Sequence, residues 1–416
     1  MSERRALCRI PPMADVTRSR SNALRVLIAG GGVAGLEALL ALRELAEERV
    51  EIELLAAEPQ FWYRPLAVAE PFGLGEVHGL DLGLVADDVG AGLTLGELQG
   101  LDADAHVART AAGAELEYDV LLVAIGARPV AAVPGAFTFR GPADTAAFRS
   151  LVDELVSGRI DRVAFALPGG AGWPLPLYEL ALHTSAFLRD RGTEAELVLV
   201  TPEDAPLELF GPDAAEAVAA LLEERGVEIR PHSYPVGFDG ELLSLKPEGA
   251  IAVDRVVALP RLEGPEIEGL PRDAHGFIPI DLHARVHALA DVFAAGDATS
   301  FPVKQGGLAT QQADAAAEAI ADLAGADIVP QPFRPILRGL ILTGGAPLFA
   351  RAELTGSGHP FATGTDALWW PPGKIAGRYL APYLAERAGA ILTPPSEVGA
   401  VSVDVELEGV PSPIGA

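Results

Sequence analysis

Cysteine is almost absent from this 416-residue sequence, in which Cys8 is the only one. A disulfide within the chain needs two cysteines, and a cysteine-ligated metal cluster needs several, so both are excluded. Chemistry that passes through a pair of protein thiols is excluded with them, because disulfide exchange needs at least two thiols.

Basic residues and long apolar runs are also scarce. Lysine and arginine number 31 against 58 aspartates and glutamates, which gives a formal net charge of −27. Such a field repels nucleic acid and anionic lipids, so we expect no nucleic-acid partner. No window approaches the run of roughly 18 apolar residues that a membrane-spanning helix needs, which favours a cytoplasmic protein. A peripheral membrane contact through a local apolar patch stays open.

The first 22 residues mix arginines with two adjacent prolines. They contain no apolar run of the length that a signal-peptide core requires. We predict a disordered tail over residues 1–22, with Met13 as an alternative start.

The remaining composition predicts a globular α/β protein. Apolar residues make up 49% of the chain and charged residues 21%, and the length exceeds what one hydrophobic core usually supports. An apolar strand at residues 24–29 is followed by a glycine turn, a leucine-rich helix and a second strand at residues 50–57. The same order of elements restarts at residues 162–167. Two such βαβ units predict two Rossmann-like dinucleotide-binding domains.

The first glycine turn carries a dinucleotide fingerprint. Gly30, Gly32 and Gly35 form GxGxxG between the strand and the helix, and Glu58 follows the next strand. In such a motif the glycines allow a tight turn and close approach of a pyrophosphate to the helix N-terminus, and the acid binds ribose hydroxyls. The complete context makes this a strong signal.

Two further motifs carry a resemblance to a known family. Residues 292–299, VFAAGDAT, place Asp297 directly after Gly296, and residues 124–129 read AIGARP. These resemble the second FAD motif and the ATG-type motif of the pyridine nucleotide-disulfide oxidoreductase superfamily. The resemblance implies FAD as the cofactor, with Asp297 on its ribityl chain, and places Arg64 near the flavin and Leu98 near the adenine. A surface arginine and a core leucine remain the alternatives for those two.

The resemblance also predicts the domain organisation and the flavin site. We expect a first part of the FAD domain at residues 23–141, an inserted NAD(P)-binding-like domain at 142–268, a second part of the FAD domain at 269–335 and a C-terminal segment at 336–416. The residues that we expect to bind the cofactor are Gly30, Gly32, Val33, Ala34, Gly35, Glu58, Pro59, Arg64, Leu98, Ala124, Ile125, Gly126, Gly296, Asp297 and Gln305.

The second domain has a damaged nucleotide loop. Gly170 and Gly172 keep the GxG spacing, but Leu175 stands where the third glycine belongs, and Pro174 and Pro176 remove backbone donors. Glu203 follows the next strand after a proline and is a poor version of the ribose-binding acid. The sequence therefore does not establish that this domain binds NAD(P)H. Glu179 resembles a glutamate that opens this helix in relatives, although a first-turn acid is also favoured by the helix dipole.

Within the superfamily, the sequence resembles the branch of type II NADH dehydrogenases and sulfide:quinone reductases. The residues that carry this are FWYRPL, WPLPLYELAL and PVKQGGLATQQADAA. Lys304 matches a lysine that members of the branch place beside the flavin, so we select it as the catalytic residue, in an electrostatic or proton-delivery role. The alternative is a plain surface lysine. Gln305 is a weaker neighbour of the same kind.

The aromatic residues, only 6% of the chain, concentrate near the C-terminus. Trp369 and Trp370 precede an apolar stretch with Ile375, Tyr379 and Leu380. The resemblance implies a quinone pocket or a membrane contact there. An interdomain plug or a homodimer interface is at least as compatible with the composition.

These observations predict an FAD-dependent oxidoreductase that passes electrons from NAD(P)H or another donor through the flavin to a quinone-like or other small acceptor, without a redox disulfide. A ferredoxin-reductase-like enzyme and a flavin-binding protein that has lost turnover remain the alternatives. His283 and His287 form HxxxH, but no third ligand stands near them in a loop-like context, so we expect no metal site.

Overall fold

The computed structural model describes residues 23–247, 249–354 and 361–389. The predicted tail with Cys8 and Met13, and the end of the C-terminal segment, lie outside the described residues. Among the described residues no helix is both long and apolar enough to span a bilayer.

The first region holds a parallel sheet with smaller antiparallel additions. Its elements are β1 Leu24–Ala29, α1 Val33–Ala46, β2 Val50–Ala56, β3 Gln60–Trp62, β4 Gly79–Asp81, α2 Leu82–Val89, β5 Gly92–Leu95, β6 Leu98–Asp102, β7 Val107–Thr110, β8 Glu115–Glu117, β9 Val120–Val123 and β10 Arg128–Val130.

The inserted region repeats the plan and ends in a small antiparallel sheet. Its elements are β11 Phe137–Thr138, α3 Thr145–Val156, β12 Arg162–Ala166, α4 Leu175–Arg189, β13 Glu196–Val200, α5 Pro212–Glu224, β14 Val227–Arg230, β15 Tyr234–Phe238, β16 Leu242–Lys246, β17 Ala250–Ala252, β18 Arg255–Ala258 and β19 Arg261–Glu263.

The chain then returns to the first sheet and finishes in an antiparallel sheet and a short helix. The elements are β20 Val292–Ala294, α6 Gly306–Leu323, β21 Ile336–Ile341, β22 Leu348–Glu353, β23 Phe361–Gly364 and α7 Leu380–Arg387.

Two five-stranded parallel sheets form the centre of the fold. The first has the order β20-β9-β1-β2-β5 and the second β11-β18-β12-β13-β14. Because β20 pairs with β9 in register Val292 to Leu121, a strand from the far side of the insertion completes the first sheet. The predicted α/β class with one Rossmann-like unit inserted in another is confirmed. The domain boundaries stay predictions.

Helices α1 and α6 pack against each other and against one face of the first sheet. Leu36, Leu39, Phe293 and Ile320 are fully buried in that layer. Parallel sheets need apolar cover, and these two helices supply it. Both begin at the carboxyl edge of the sheet, which is where ligands bind in open α/β folds.

Candidate functional site

The turn after β1 is shaped by glycines that tolerate no side chain. Gly30 has φ +125°, and a Cβ there would lie 2.2 Å from the carbonyl oxygen of Ala124. A Cβ on Gly35 would lie 1.8 Å from the carbonyl oxygen of Gly30. At Gly32, in contrast, a Cβ would meet nothing within 4 Å. Gly30 and Gly35 thus allow close packing, and Gly32 leaves open space in front of the helix.

That open space belongs to a cavity of about 740 Å³. Its lining includes most of the residues predicted to bind the cofactor, together with the predicted catalytic lysine: Gly30, Gly32, Val33, Ala34, Glu58, Arg64, Leu98, Ala124, Ile125, Gly126, Gly296, Asp297, Lys304 and Gln305. Five strands of the first sheet end at or beside this cavity, so segments far apart in sequence meet there.

Two predicted residues do not line the cavity. Gly35 lies behind the wall, where its role is the close contact with Gly30. Pro59 accepts a hydrogen bond at its carbonyl from the Leu82 amide at 2.9 Å and holds the start of α2. Both residues support the backbone around the cavity and do not form part of its wall.

The second segment of the site follows β20. Gly296 has φ +79° and donates its amide to Oε1 of Gln312 at 2.7 Å. Asp297 is half-buried at the cavity wall. Burial raises the pKa of its carboxyl, while the positive charges of Lys304 and Arg64 act in the opposite direction. A hydroxyl-bearing chain in the cavity would give this carboxylate hydrogen-bond donors.

Lys304 is a buried cation at the same wall. Its side chain is only 7% exposed, its Nζ donates to the carbonyl of Thr299, and the ammonium lies 3.8 Å from the Phe277 ring centre. Burial lowers the pKa of Lys304 to about 8, although Asp297 raises it. The alternative of a plain surface lysine is therefore wrong.

Gln305 serves a local structural purpose. Its Oε1 accepts the amide of Leu308 at 2.9 Å, which caps α6, and its Nε2 donates to the carbonyl of Arg338 at 3.0 Å. The side chain thus ties the start of α6 to β21. Its amide groups are engaged within the protein.

The damaged loop of the second domain is packed against the lysine segment. The amide of Lys304 donates to the carbonyl of Gly172 at 2.9 Å, and a Cβ at Gly172 would lie 2.5 Å from the Lys304 side chain. Pro174 precedes α4 and Pro176 lies in its first turn. The loop thereby forms a wall of the cavity while its helix start lacks two backbone donors.

The acid after β13 is also engaged. Glu203 accepts hydrogen bonds from the Tyr178 hydroxyl at 2.5 Å and the Thr201 hydroxyl at 2.8 Å. Burial raises its pKa. A ribose would have to compete with two internal donors, so the groups at this second nucleotide site fit NAD(P)H poorly.

Comparison with known families agrees with this geometry. The family model described as pyridine nucleotide-disulphide oxidoreductase matches residues 24–319, well over half of the chain. This protein belongs to that family. Proteins of the family typically bind FAD and use NAD(P)H, and the sequence resemblance is confirmed.

Solved structures share the fold of this family member. The sulfide:quinone oxidoreductase of Aquifex aeolicus has a TM-score of 0.75 at 19% identity, covering 89% of this chain and 93% of its own. The ferredoxin reductase for the CYP199A2 system of Rhodopseudomonas palustris has a TM-score of 0.62 at 20% identity, over 80% and 83%. A NAD-dependent persulfide reductase from A. fulgidus has a TM-score of 0.59 at 16% identity, covering 80% of this chain and 64% of its own. At these identities the similarity concerns the fold alone.

The cavity contains an ion pair of which the sequence had indicated only one member, Glu179. Nζ of Lys374 lies 2.5 Å from both carboxylate oxygens of Glu179, with side-chain exposures of 8% and 1%. Oε1 of Glu179 also accepts the amide of Leu342 at 2.7 Å. Burial raises the pKa of Glu179, and Lys374 opposes that shift. The two residues are 195 positions apart, and no local pattern marked Lys374.

The aromatic C-terminal stretch packs within the chain. Trp369 is 7% exposed, donates its Nε1 to the carbonyl of Gly373 at 3.0 Å and meets Phe349 edge-to-face. Ile375 and Leu380 join the core beside α1 and α6. This packing is that of an internal plug, which brings Lys374 and Ile375 to the cavity wall.

The histidine pair lies in irregular structure after the second domain. The amide of His283 donates to Asp281 at 2.8 Å in a turn. Within the described ranges, no group of three histidine, cysteine or acidic side chains is arranged to hold a metal ion.

Proposed function

We propose that this protein is an FAD-dependent oxidoreductase that passes electrons from NAD(P)H or another small donor through the flavin to a quinone-like acceptor, without a redox disulfide. The flavin supplies two-electron chemistry when bound. The protein's own residues would bind and orient the flavin and move protons.

The two-segment site suits FAD in charge and shape. Free amides at the start of α1, with open space at Gly32, would hold the pyrophosphate. Glu58 would bind the adenosine ribose and Asp297 the ribityl chain. The α6 N-terminus and Lys304 would place positive charge beside the isoalloxazine, which favours its reduced anionic form.

The Glu179–Lys374 pair is the observation that carries the acceptor assignment. Reduction of a quinone to a quinol takes up two electrons and two protons, so the site needs a proton donor. A buried carboxyl with a raised pKa, held by a lysine at the wall of the same cavity, is such a group. We assign proton delivery to Glu179, and to Lys374 the role of holding its carboxylate.

The same observation disfavours a ferredoxin-type acceptor. An iron–sulfur carrier takes electrons without protons and gives the buried pair no task. A net charge of −27 would also repel an acidic carrier. The engaged second nucleotide site supports a donor other than NAD(P)H, and it is equally what a flavin-binding protein without turnover would show.

One anaerobic experiment tests these statements in sequence. The purified protein should be yellow, and its flavin is reduced in turn by NADH, by NADPH and by light with a sacrificial donor. The reduced protein is then mixed with a soluble quinone or with ferricyanide, which accepts electrons without protons. We expect rapid reoxidation by quinone in the wild-type protein.

Glu179→Gln separates proton delivery from electron transfer. We expect the variant to slow the quinone reaction by about 10²-fold or more, the usual contribution of a general acid, and to leave the ferricyanide reaction nearly unchanged. Glu203→Gln is the control, because Glu203 does not line the described cavity. A colourless protein that FAD cannot reconstitute would refute the cofactor. Equal slowing of both acceptors would refute the role of Glu179.

A further inference from the structure

His183 is a buried histidine whose ring nitrogens both lack a protein partner. It is 3% exposed, and neither Nδ1 nor Nε2 makes a hydrogen bond within the described part of the chain. A neutral imidazole has one donor and one acceptor, and leaving both unmet in a buried place is costly. Buried polar atoms of this kind are usually satisfied by internal water or retained for function.

His183 lies one helical turn from Glu179, which lines the cavity. It follows Glu179 by four residues on α4, which places both side chains on one face of the helix. The ring of Phe72 covers it on one side at a centroid distance of 5.3 Å. Glu179 is thus one helical turn away from the unpartnered imidazole, on the cavity side of the helix.

Solvent lies close to His183 in the other direction. The turn after β21 runs over this face, since the Leu342 amide binds Glu179 and a Cβ at Gly344 would lie 3.5 Å from Nδ1 of His183. Gly344, Gly345 and Ala346 are exposed. Only a thin, glycine-rich turn separates the imidazole from bulk water.

The charges that face His183 keep its ring neutral. Burial lowers the pKa of His183 to about 4, and the positive charges of Lys374 and Arg225 add to that shift. Glu179 is the acidic group on the same helix face. A neutral ring can accept a proton at one nitrogen and release one from the other, which is what a relay requires.

We propose that His183, with internal water, carries protons from solvent at the Gly344–Ala346 turn to Glu179. The inference rests on the proposed function. For each acceptor reduced, the quinone gains two electrons and two protons: the electrons and one proton would come from the reduced flavin, and the other proton from the carboxyl O–H of Glu179, which becomes a carboxylate held by Lys374. A proton from water then enters the ring of His183 at one nitrogen, the other nitrogen releases its proton toward Glu179, and the carboxyl is restored.

The first measurement does not depend on turnover. Protein labelled with ¹⁵N-histidine is titrated by NMR, with His183→Phe identifying the resonance. We expect a ring that stays neutral down to about pH 5 and ¹⁵N shifts typical of hydrogen-bonded nitrogens, which indicates internal water. A ring that protonates at its ordinary pKa, or nitrogens without hydrogen bonds, would overturn the relay.

The second measurement uses the photoreduced holoprotein. We expect His183→Phe to slow reoxidation by a soluble quinone about tenfold or more, to change its pH profile and to alter its rate ratio in H₂O and D₂O. Reoxidation by ferricyanide should change less than about twofold, since it needs no proton. Ser185→Ala, on the same helix with its hydroxyl on the carbonyl of Arg225, is the control and should behave as wild type.

The outcomes separate this inference from the function on which it rests. If wild type reacts rapidly with quinone and His183→Phe does the same with an unchanged isotope ratio, the relay is wrong and the acceptor assignment stands. If wild type reacts with ferricyanide but with no quinone, the acceptor assignment fails and the relay fails with it.

Discussion

Gly32 and Gly35 stand three residues apart in one motif, yet a side chain would have opposite consequences at the two positions. At Gly32 a Cβ enters open cavity space, and at Gly35 it would overlap the backbone of Gly30. Substitutions at these two glycines can therefore separate an effect on ligand binding from an effect on folding.

We expect Gly32→Trp to lose flavin while the apoprotein keeps its thermal midpoint, because the indole would occupy cavity space and displace no protein atom. Gly32→Ala, which adds only one carbon to that space, should weaken flavin retention less than Gly32→Trp does. Gly35→Ala should destabilise the protein itself by about 1–3 kcal/mol, the usual range for overpacking. Flavin absorbance after gel filtration and thermal unfolding by circular dichroism measure both effects. Flavin retained in Gly32→Trp would contradict the placement of the pyrophosphate.

The sequence predicted the site residues that lie in local patterns. Gly30 and Gly32 were predicted from their place between a strand and a helix, and Asp297 from the resemblance of VFAAGDAT to a family motif; all three line the cavity. Lys304 was recognised by resemblance, but its burial was not. Lys374 and His183 had no such mark, because their roles arise from contacts with segments distant in the chain.

Helix α7 is held at its start by a carboxylate from another element. Glu37 of α1 is fully buried and accepts the amides of Tyr379 and Leu380 at 2.8 and 2.7 Å. Asp314 of α6 faces Glu37, and its Oδ1 has no hydrogen-bond partner among the described residues. Burial raises the pKa of both groups; the Glu37 carboxyl raises the pKa of Asp314 further, whereas the hydrogen bond with Asp314 and the backbone amides lower the pKa of Glu37.

This pair predicts that attachment of the C-terminal segment weakens in alkaline solution. A carboxyl whose pKa is raised on folding stabilises the protein at low pH, and that contribution is lost as pH rises through the folded value. In the wild-type protein we expect the free energy of unfolding to fall by an amount on the order of 1–2 kcal/mol between about pH 6 and pH 9, and Asp314→Asn should remove this fall. Thermal midpoints across this range measure it. Asp322→Asn, an exposed acid on the same helix, should retain the wild-type dependence. A parallel dependence in Asp314→Asn and wild type would disprove the assignment of this pH dependence to the Glu37–Asp314 pair.

Elements with a strong period were predicted closely, and the C-terminal sheet was not. The strands predicted at residues 24–29 and 50–57 span Leu24–Ala29 and Val50–Ala56, and the element predicted from residue 162 begins at Arg162. Strands β21 to β23 lie in a segment that the sequence indicated only by its proline, glycine and aromatic content. Of these strands β21 packs against α4 and α6 and β23 against α5, and strand formation depends on such packing more than on local preference.

At the scale of the whole molecule, the two dinucleotide-binding units have diverged. The first keeps open space and free amides at its glycine turn. In the second, Gly172 packs on Lys304 and Glu203 is bound by Tyr178 and Thr201. One unit is shaped for a ligand, and the other contributes a wall and Glu179 to the first unit's cavity, with His183 one helical turn further along α4.

The net charge of −27 affects every charged acceptor that approaches this cavity. At low salt the field extends over roughly 30 Å at 0.01 M ionic strength, and it shrinks to about 8 Å at 0.15 M. We therefore expect a sulfonated naphthoquinone to reoxidise the photoreduced protein slowly at low salt and faster as salt is added. Menadione, a neutral quinone, should show little dependence on salt.

Stopped-flow rates over this range of ionic strength provide the measurement, and a cationic acceptor completes the series. Its rate should fall with added salt, because the same field attracts it. If instead the rate of the anionic acceptor falls with added salt and that of the cationic acceptor rises, local positive charge at the cavity outweighs the net charge. Lys304, Arg64 and Lys374 at the cavity wall would then dominate the approach.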